Sequence, residues 1–207
     1  MCIRDSENTA WSCAHGVARW NSDCSCNTGG NGDWNQQWRG PLREALDWLR
    51  DEVAPKYEQK LGELLKDPWT PRNEYIAVVF DRSPDCRQGF LQAYSRCKLT
   101  LPEQVNVWKL LELQRHAMLM YTSCGWFFND ISGIEPIQIL KYAARVIDLM
   151  YQLDLPSPRE RFLEILAEAK SNRPEKGNGA EIYQQLVEPA NPSLSSQLDN
   201  VAETLAR

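Results

Sequence analysis

Apolar residues recur at helical spacing along most of the chain after residue 40. The first such face consists of Leu42, Ala45, Leu46 and Leu49. This spacing of three and four residues predicts an amphipathic helix, and Pro41 is suited to its first turn. Pro55 is expected to kink or restart the helix, and Asp67-Pro68 is expected to end it.

Further helices are predicted along the rest of the chain, and proline or a capping residue marks most of their starts. The predicted starts are Ser83-Pro84, Leu101-Pro102, Glu135-Pro136, Arg159 and Ala180. The segment from Asn73 to Phe80 has strand propensity at its β-branched residues. Because this segment is short and lies between helices, we predict that it is helical.

Two of these helices are long and carry clear apolar stripes. The stripe of the first is predicted to be Val107, Leu110, Leu111, Gln114, Met118 and Tyr121. The stripe of the second is predicted to be Ile137, Leu140, Ala144, Ile147 and Tyr151. The elements together predict an all-α fold, a helical bundle over residues 41–187.

The residues on either side of this bundle lack its periodicity. Residues 7–40 are rich in Trp, Cys, Asn, Gly and Ser, which predicts an irregular arm that packs on the bundle. Residues 188–207 are expected to form a linker or a truncated helix. Residues 1–6 resemble a translated sequencing-adapter artefact, so we expect them to be non-native and the chain to be a fragment.

Composition excludes several classes of function. The net charge of -5 argues against a nucleic-acid-binding protein, which needs a basic face. The sequence has no run that approaches the ~20 apolar residues of a membrane span, so we expect no membrane partner. Without a recognisable signal peptide, and with an odd number of cysteines (seven), the expected location is the cytoplasm rather than an oxidising compartment.

The segment from Tyr121 to Glu135, between the two long helices, contains more kinds of functional group than any other part of the bundle. It combines three consecutive aromatic residues with a thiol, hydroxyls, an amide and a carboxylate. Aromatic faces beside hydrogen-bonding groups are typical of sugar-binding sites. The alternative is that these rings form a buried plug that wedges the two helices apart.

The arm holds four soft ligands within fourteen residues, namely Cys13, His15, Cys24 and Cys26. Thiolates and imidazole suit zinc, so these residues could form a closed structural zinc site. The spacings C-x-H and C-x-C differ from the C-x2-C pairs of zinc fingers. The alternative is that the thiols pack in the interior beside a polar histidine.

A second group in the arm combines Trp rings with hydrogen-bonding side chains, and its members are Glu7, Trp11, His15 and Trp20. Trp offers a flat apolar face to a sugar ring, while Glu and His can bind its hydroxyls. The alternative is that the two Trp residues anchor the arm on the bundle. The two interpretations are compatible, since an arm held over a cleft does both.

Catalytic residues are not recognisable in this chain. Asp130 and Glu135 do not have the arrangement of a facing carboxylate pair. Cys124 would need a base beside it, and His116 lies two helical turns upstream, out of its reach. The carboxylates on the amphipathic helices are more typical of a solvated surface.

Two motifs resemble glycoside hydrolase family 57. Residues Met118 to Phe128, which include Ser123-Cys-Gly-Trp-Phe-Phe128, resemble the Gln-Ser-Ser-Asp-Trp-Pro-Phe region of that family. The segment from Thr9 to Trp20 is similar to the family's Ser-Trp-Gly segment followed by a Trp. Nearly the whole chain resembles, more closely, the C-terminal domain of unknown function in family 57-related proteins.

The resemblance implies that the chain follows a distorted (β/α)-barrel of the same protein and closes a sugar site from the side. The catalytic carboxylates would then lie in that barrel, so the chain alone is expected to be inactive. Trp126 would contact substrate, whereas Phe127 and Phe128 would belong to the core. The family's Asp before this Trp is Gly125 here, and Asp130 could replace it.

The expected function is therefore that of a helical substrate-cleft domain in an intracellular family 57-like glycoside hydrolase or transglycosidase. Its substrates would be α-glucan-type oligosaccharides. The residues expected to bind substrate are Glu7, Trp11, His15, Trp20, Trp126 and Asp130. The alternative is a non-catalytic scaffold or a zinc-stabilised interaction module.

Overall fold

The computed structural model describes residues 13–28 and 31–190, and this part of the chain is helical and contains no β-strand. The predicted all-α fold is confirmed. The α-helices in chain order are α1 (Arg39–Leu64), α2 (Trp69–Glu74), α3 (Ile76–Phe80), α4 (Pro84–Tyr94), α5 (Leu101–Leu119), α6 (Ile134–Gln152), α7 (Arg159–Leu166) and α8 (Gly179–Ile182). Short 3₁₀ helices lie at Gly16–Trp20, Ser123–Trp126 and Pro174–Lys176, and a π-helical turn lies at Tyr183–Val187.

The predicted helix starts agree with the observed caps. The Ser83 hydroxyl accepts a hydrogen bond from the backbone N–H of Cys86 at the start of α4. At the start of α5, Thr100 and Glu103 form a reciprocal capping box, in which each side chain accepts a hydrogen bond from the other's backbone N–H. The segment from Asn73 to Phe80 is helical, as predicted, and contributes to α2 and α3.

Pro55 lies inside α1, which does not restart there. The proline removes one backbone donor, and the helix tolerates this loss because Pro55 lies on its exposed side. The opposite face of α1 is fully buried, and its buried apolar residues are Leu42, Ala45, Leu46, Leu49, Val53, Tyr57 and Leu61. The continuous apolar stripe thus holds α1 together across the proline.

Helix α6 is the central element of the bundle. It packs against α5, against the 3₁₀ helix Ser123–Trp126 and against the π-helical turn. Because neighbours surround it, α6 is buried on more than one face, including Ile139 and Ala143, which the predicted stripe omitted. The predicted stripes were wrong at two positions, since Tyr151 is 52% exposed and Met118 is 46% exposed.

The end of the described chain is tied to α7. The Glu188 carboxylate accepts hydrogen bonds from Arg159 Nε at 2.6 Å and from Arg159 Nη2 at 3.0 Å. Glu188 is 5% exposed, so this two-point ion pair lies within the bundle. Of the predicted linker at 188–207, residues 191–207 lie outside the described part, as do residues 1–12 of the predicted artefact and arm.

None of the helices in the described ranges combines the length and the apolar character that crossing a bilayer requires.

The 3₁₀ helix Ser123–Trp126, which we call the central turn, lies directly on α6. Gly125 makes this approach possible. A Cβ atom at Gly125 would lie 2.2 Å from Ile139 Cγ1 and 2.9 Å from its Cδ1. These distances are far below van der Waals contact, so the turn can reach α6 only with a glycine at this position.

We predict that Gly125→Ala lowers the free energy of unfolding by about 1–3 kcal/mol, because the added methyl group overpacks the contact with Ile139. Gly62→Ala is the matched control, since nothing lies within 4 Å of a Cβ at that position in α1. The control should raise the unfolding free energy by up to about 1 kcal/mol. Urea unfolding measures both changes, and equal stability of the two variants would contradict the close approach.

Candidate metal centre and adjoining pocket

The first part of the arm brings two cysteine-containing segments together. Cys13 and His15 come directly before the 3₁₀ helix Gly16–Trp20, and Gly16 has the left-handed φ of 62° that a glycine adopts readily. On the return path, Ser25 lies between Cys24 and Cys26 with a φ of 59°. Its backbone N–H donates to the Asp23 carboxylate at 2.9 Å, which stabilises this uncommon conformation.

The side chains of Cys13, His15, Cys24 and Cys26 form one cluster, in which all four ligand atoms lie within 4.8 Å of one another. Cys13 Sγ lies 3.7 Å from Cys24 Sγ and 3.6 Å from Cys26 Sγ. The Nδ1 atom of His15 lies 3.6 Å from Cys13 Sγ and 3.4 Å from Cys26 Sγ. All three cysteines are free thiols.

The four individual distances, from 3.4 to 3.7 Å, match those of a tetrahedral ligand set. An ion with metal–sulfur bonds of about 2.3 Å and a metal–nitrogen bond of about 2.0–2.1 Å places two sulfurs about 3.8 Å apart. The same geometry places sulfur and nitrogen about 3.6 Å apart. The cluster could therefore hold a metal ion, and the close C-x-H and C-x-C spacings do not prevent this.

The cluster favours one ionised thiol. Burial opposes ionisation of Cys13, but the backbone N–H and ring of His15, together with the two other thiols, overcome this effect and lower the pKa of Cys13 to about 6. The hydrogen bond with Cys13, with burial second, raises the pKa of Cys26. A thiolate is the form that binds metal, so the cluster is prepared for ligation at neutral pH.

Two arginines are buried near the cluster, one at the start of α1 and one in the 3₁₀ helix Gly16–Trp20. Arg39, at the start of α1, is fully buried and donates from Nη1 to Cys24 Sγ at 3.5 Å. Its Nε and Nη2 atoms have no hydrogen-bond partner among the described residues. Burial lowers the pKa of Arg39, and the sulfur of Cys24 opposes this decrease. Arg19 is 4% exposed and donates to the backbone oxygen of Phe127 at 3.4 Å.

The arm packs on the residues that follow the central turn. The Trp20 ring meets the Phe127 ring edge to face, with centroids 5.8 Å apart, and the Arg19 guanidinium lies 5.2 Å from the centroid of the same ring. The backbone N–H of Thr28 donates to the Asn129 side chain at 3.0 Å. These contacts join the cluster to the segment that the sequence analysis singled out.

The three consecutive aromatic residues are buried in an order that differs from the expected one. Trp126 is 2% exposed, and its ring stacks on Trp38 with centroids 6.4 Å apart. Phe127 is half-buried beneath the arm, and Phe128 is 42% exposed. The expectation that Phe128 belongs to the core was therefore wrong, because Trp126 takes the inward position between α1 and α6.

A pocket of about 410 Å³ opens where the arm meets the central turn. Its lining consists of Val17, Trp20, Asn21, Arg43, Tyr121, Ser123 and Trp126. Asp47 accepts hydrogen bonds from Arg43 Nε at 2.9 Å and from the Tyr121 hydroxyl at 2.7 Å, which fixes both of these lining side chains. Burial and the Asp47 carboxylate raise the pKa of Tyr121, so its hydroxyl remains a donor. The pocket combines aromatic surface with polar groups held in fixed positions.

Only part of this pocket was foreseen from the sequence. Trp20 and Trp126, both predicted to bind substrate, are among its lining residues, although Trp126 contributes little surface. Tyr121 was assigned to a helix stripe, and Arg43 and Asp47 were missed. The signal that could have found them is the i, i+4 spacing of opposite charges on α1, next to the arm.

Two further residues predicted to bind substrate, Asp130 and His15, do not line this pocket. Asp130 is 4% exposed, and its carboxylate accepts hydrogen bonds from the hydroxyls of Ser132 and Ser171. The backbone N–H of Asn172 donates to it as well. Asp130 thus links the segment after the central turn to the segment after α7.

His15 belongs to the cysteine cluster, and Glu7 and Trp11 lie outside the described residues. Their contacts with substrate stay predictions.

The chain was compared with known proteins. A family model described as a domain of unknown function, DUF3536, matches residues 34–206. No curated protein and no solved structure matches the chain. The match covers the helical bundle, and the cysteine cluster precedes it along the chain.

Proposed function

The chain belongs to the DUF3536 family, and from its site geometry we propose that it forms one wall of a carbohydrate-binding cleft in a glycoside hydrolase family 57-like protein. The observation that carries this proposal is the pocket between the arm and the central turn. Its ligands would be α-glucan-type oligosaccharides, and the chemistry of glycosidic bond cleavage or transfer would belong to a preceding (β/α)-barrel.

The lining of the pocket supports a sugar ligand. The Trp20 ring is half-buried and offers apolar surface for the C–H face of a pyranose ring. Arg43 and Ser123 offer donors and acceptors for hydroxyl groups. The volume of about 410 Å³ lies within the ~300–1,000 Å³ of typical ligand pockets. The resemblance of both bordering motifs to family 57 supports the same ligand class.

We propose further that the cluster in the arm holds a structural zinc ion. Three thiolates and one imidazole form a closed ligand set of the kind that structural zinc uses, with no position left for a substrate or water. The three thiolates would give the loaded site a net charge of about −1. Arg39, fully buried 3.5 Å from Cys24 Sγ, supports this assignment because its charge would offset that of the site.

The second candidate function is a zinc-stabilised interaction module without sugar binding. The Cys/His cluster favours this second function as well, because a structural zinc site can stabilise the arm whether or not the protein binds a carbohydrate. The two candidates differ in the role of Trp20, since a sugar ligand requires its exposed surface and an interaction module does not. Measuring zinc and sugar binding separately therefore distinguishes them.

We expect one zinc ion per chain in the purified protein, measured by inductively coupled plasma mass spectrometry. Cys24→Ser removes one thiolate and should reduce the zinc content severalfold, because the remaining ligands no longer complete the tetrahedral set. Cys97→Ser is the matched control, since Cys97 is an exposed free thiol outside the cluster. Zinc-free wild-type protein, or equal zinc in both variants, would refute the assignment.

We expect malto-oligosaccharides to bind the chain, and Trp20→Ala to weaken that binding by about fivefold or more, the effect of losing about 1 kcal/mol of aromatic contact. Isothermal titration calorimetry measures the change. Trp34→Ala is the control, because Trp34 also lies in the arm but contacts Arg173 instead of the pocket.

The zinc content of both Trp variants should equal that of the wild type, which shows that the cluster stays folded. Equal sugar affinity of the wild type and Trp20→Ala would contradict the proposed cleft. Absence of any sugar binding by a zinc-loaded chain would favour the interaction module.

A further inference from the structure

A second cavity, of about 440 Å³, lies on the other side of Tyr121 and is bordered by α1, α2 and α5. Most of its wall is apolar and comes from Ala54, Trp69, Ala117 and Met118. Neither the proposed sugar pocket nor the cysteine cluster uses these residues. The cavity therefore needs an explanation of its own.

Two side chains at this cavity carry polar groups without a hydrogen-bond partner among the described residues. Gln114 is 6% exposed and lines the cavity, and its amide makes no hydrogen bond with any described residue. Arg72 also lines the cavity, and its Nε atom is buried without a partner in the described chain. Buried donors are nearly always satisfied in folded proteins, and the enclosed Nε of Arg72 is an exception. The Gln114 amide is not fully enclosed, so a ligand in the cavity can reach it.

The charge at the cavity is positive. Three arginines line it, namely Arg43, Arg50 and Arg72, and its lining contains no acidic residue. The first two form ion pairs with Asp47, and Arg50 also pairs with Asp51. Arg72 forms no ion pair within the described ranges, and its Nη1 donates to the neutral Asn73 side chain. Three positive charges against two negative charges leave one unbalanced guanidinium.

The guanidinium of Arg72 is held in position by an aromatic ring. Its Cζ atom lies 5.9 Å from the centroid of Trp69, which in turn packs on Tyr57 with centroids 5.4 Å apart. The Nη1 atom of Arg72 donates to Asn73 and its Nε is enclosed, so Nη2 is the nitrogen left to bind a carboxylate oxygen. The apolar wall beside it suits the body of the same ligand.

We propose that this cavity binds a small organic carboxylate with an apolar body. The carboxylate contacts Arg72, the apolar body lies against Trp69, Ala117 and Met118, and the Gln114 amide hydrogen-bonds to the ligand. This site goes beyond the proposed carbohydrate cleft, shares only Tyr121 and Arg43 with it, and needs neither zinc nor sugar.

Benzoate is the probe, and its binding to the full chain is followed by ligand-observed NMR and by calorimetry. Benzyl alcohol has the same ring without the charge, and it should bind at least about tenfold more weakly, the effect of one charge-assisted hydrogen bond. Inorganic phosphate supplies charge without an apolar body and should also bind more weakly. Benzyl alcohol or phosphate binding as tightly as benzoate would overturn the proposal.

Two variants locate the site. Arg72→Gln removes the unbalanced charge and should weaken benzoate binding about tenfold. Arg82→Gln makes the same charge change at a side chain that is 60% exposed and lines a different cavity, and should leave binding unchanged. Ala54→Leu adds volume within the cavity on a helix that tolerates leucine, and should abolish binding while every arginine remains. Wild-type affinity in Arg72→Gln or in Ala54→Leu would overturn the proposal.

Discussion

The burial of two arginines where the arm meets the bundle is the constraint on which the functional region depends. Arg39 is fully buried and its guanidinium donates to the sulfur of Cys24, while Arg19, in the arm, packs against Phe127. An isolated buried charge costs several kcal/mol, so such a guanidinium needs a negative partner. A metal ion bound by three thiolates would provide that partner, which is why we connect the Cys/His cluster with the stability of the whole junction.

The position of the arm in turn determines the pocket. Trp20 belongs to the 3₁₀ helix that starts one residue after the cluster ligand His15, and its ring forms one side of the pocket. The other side comes from the central turn, which Gly125 allows to approach α6 closely. A metal in the cluster would therefore act at a distance from any ligand, by fixing the wall that the ligand contacts. The role of the metal would then be structural, and ligand contacts in the pocket would come from aromatic and hydrogen-bonding side chains.

Regular helices could be predicted from the sequence because their signals are local. The Ser83 cap, the Thr100 box and the spacing of Leu42 to Leu49 depend on neighbours within one or two turns. The order of burial among Trp126, Phe127 and Phe128 could not be predicted, since a single 3₁₀ turn has no periodicity and tertiary contacts decide which ring faces inward. The cluster was foreseen by residue type, but its geometry depends on the left-handed conformations of Gly16 and Ser25.

X-ray absorption spectroscopy at the zinc edge is the decisive test of the proposed ligand set, because it reports the atoms around the ion. We expect a four-coordinate zinc with three sulfur atoms at about 2.3 Å and one nitrogen atom at about 2.0–2.1 Å. A shell made of oxygen and nitrogen alone, or one with fewer than three sulfurs, would contradict the assignment of Cys13, Cys24 and Cys26 as ligands together with His15.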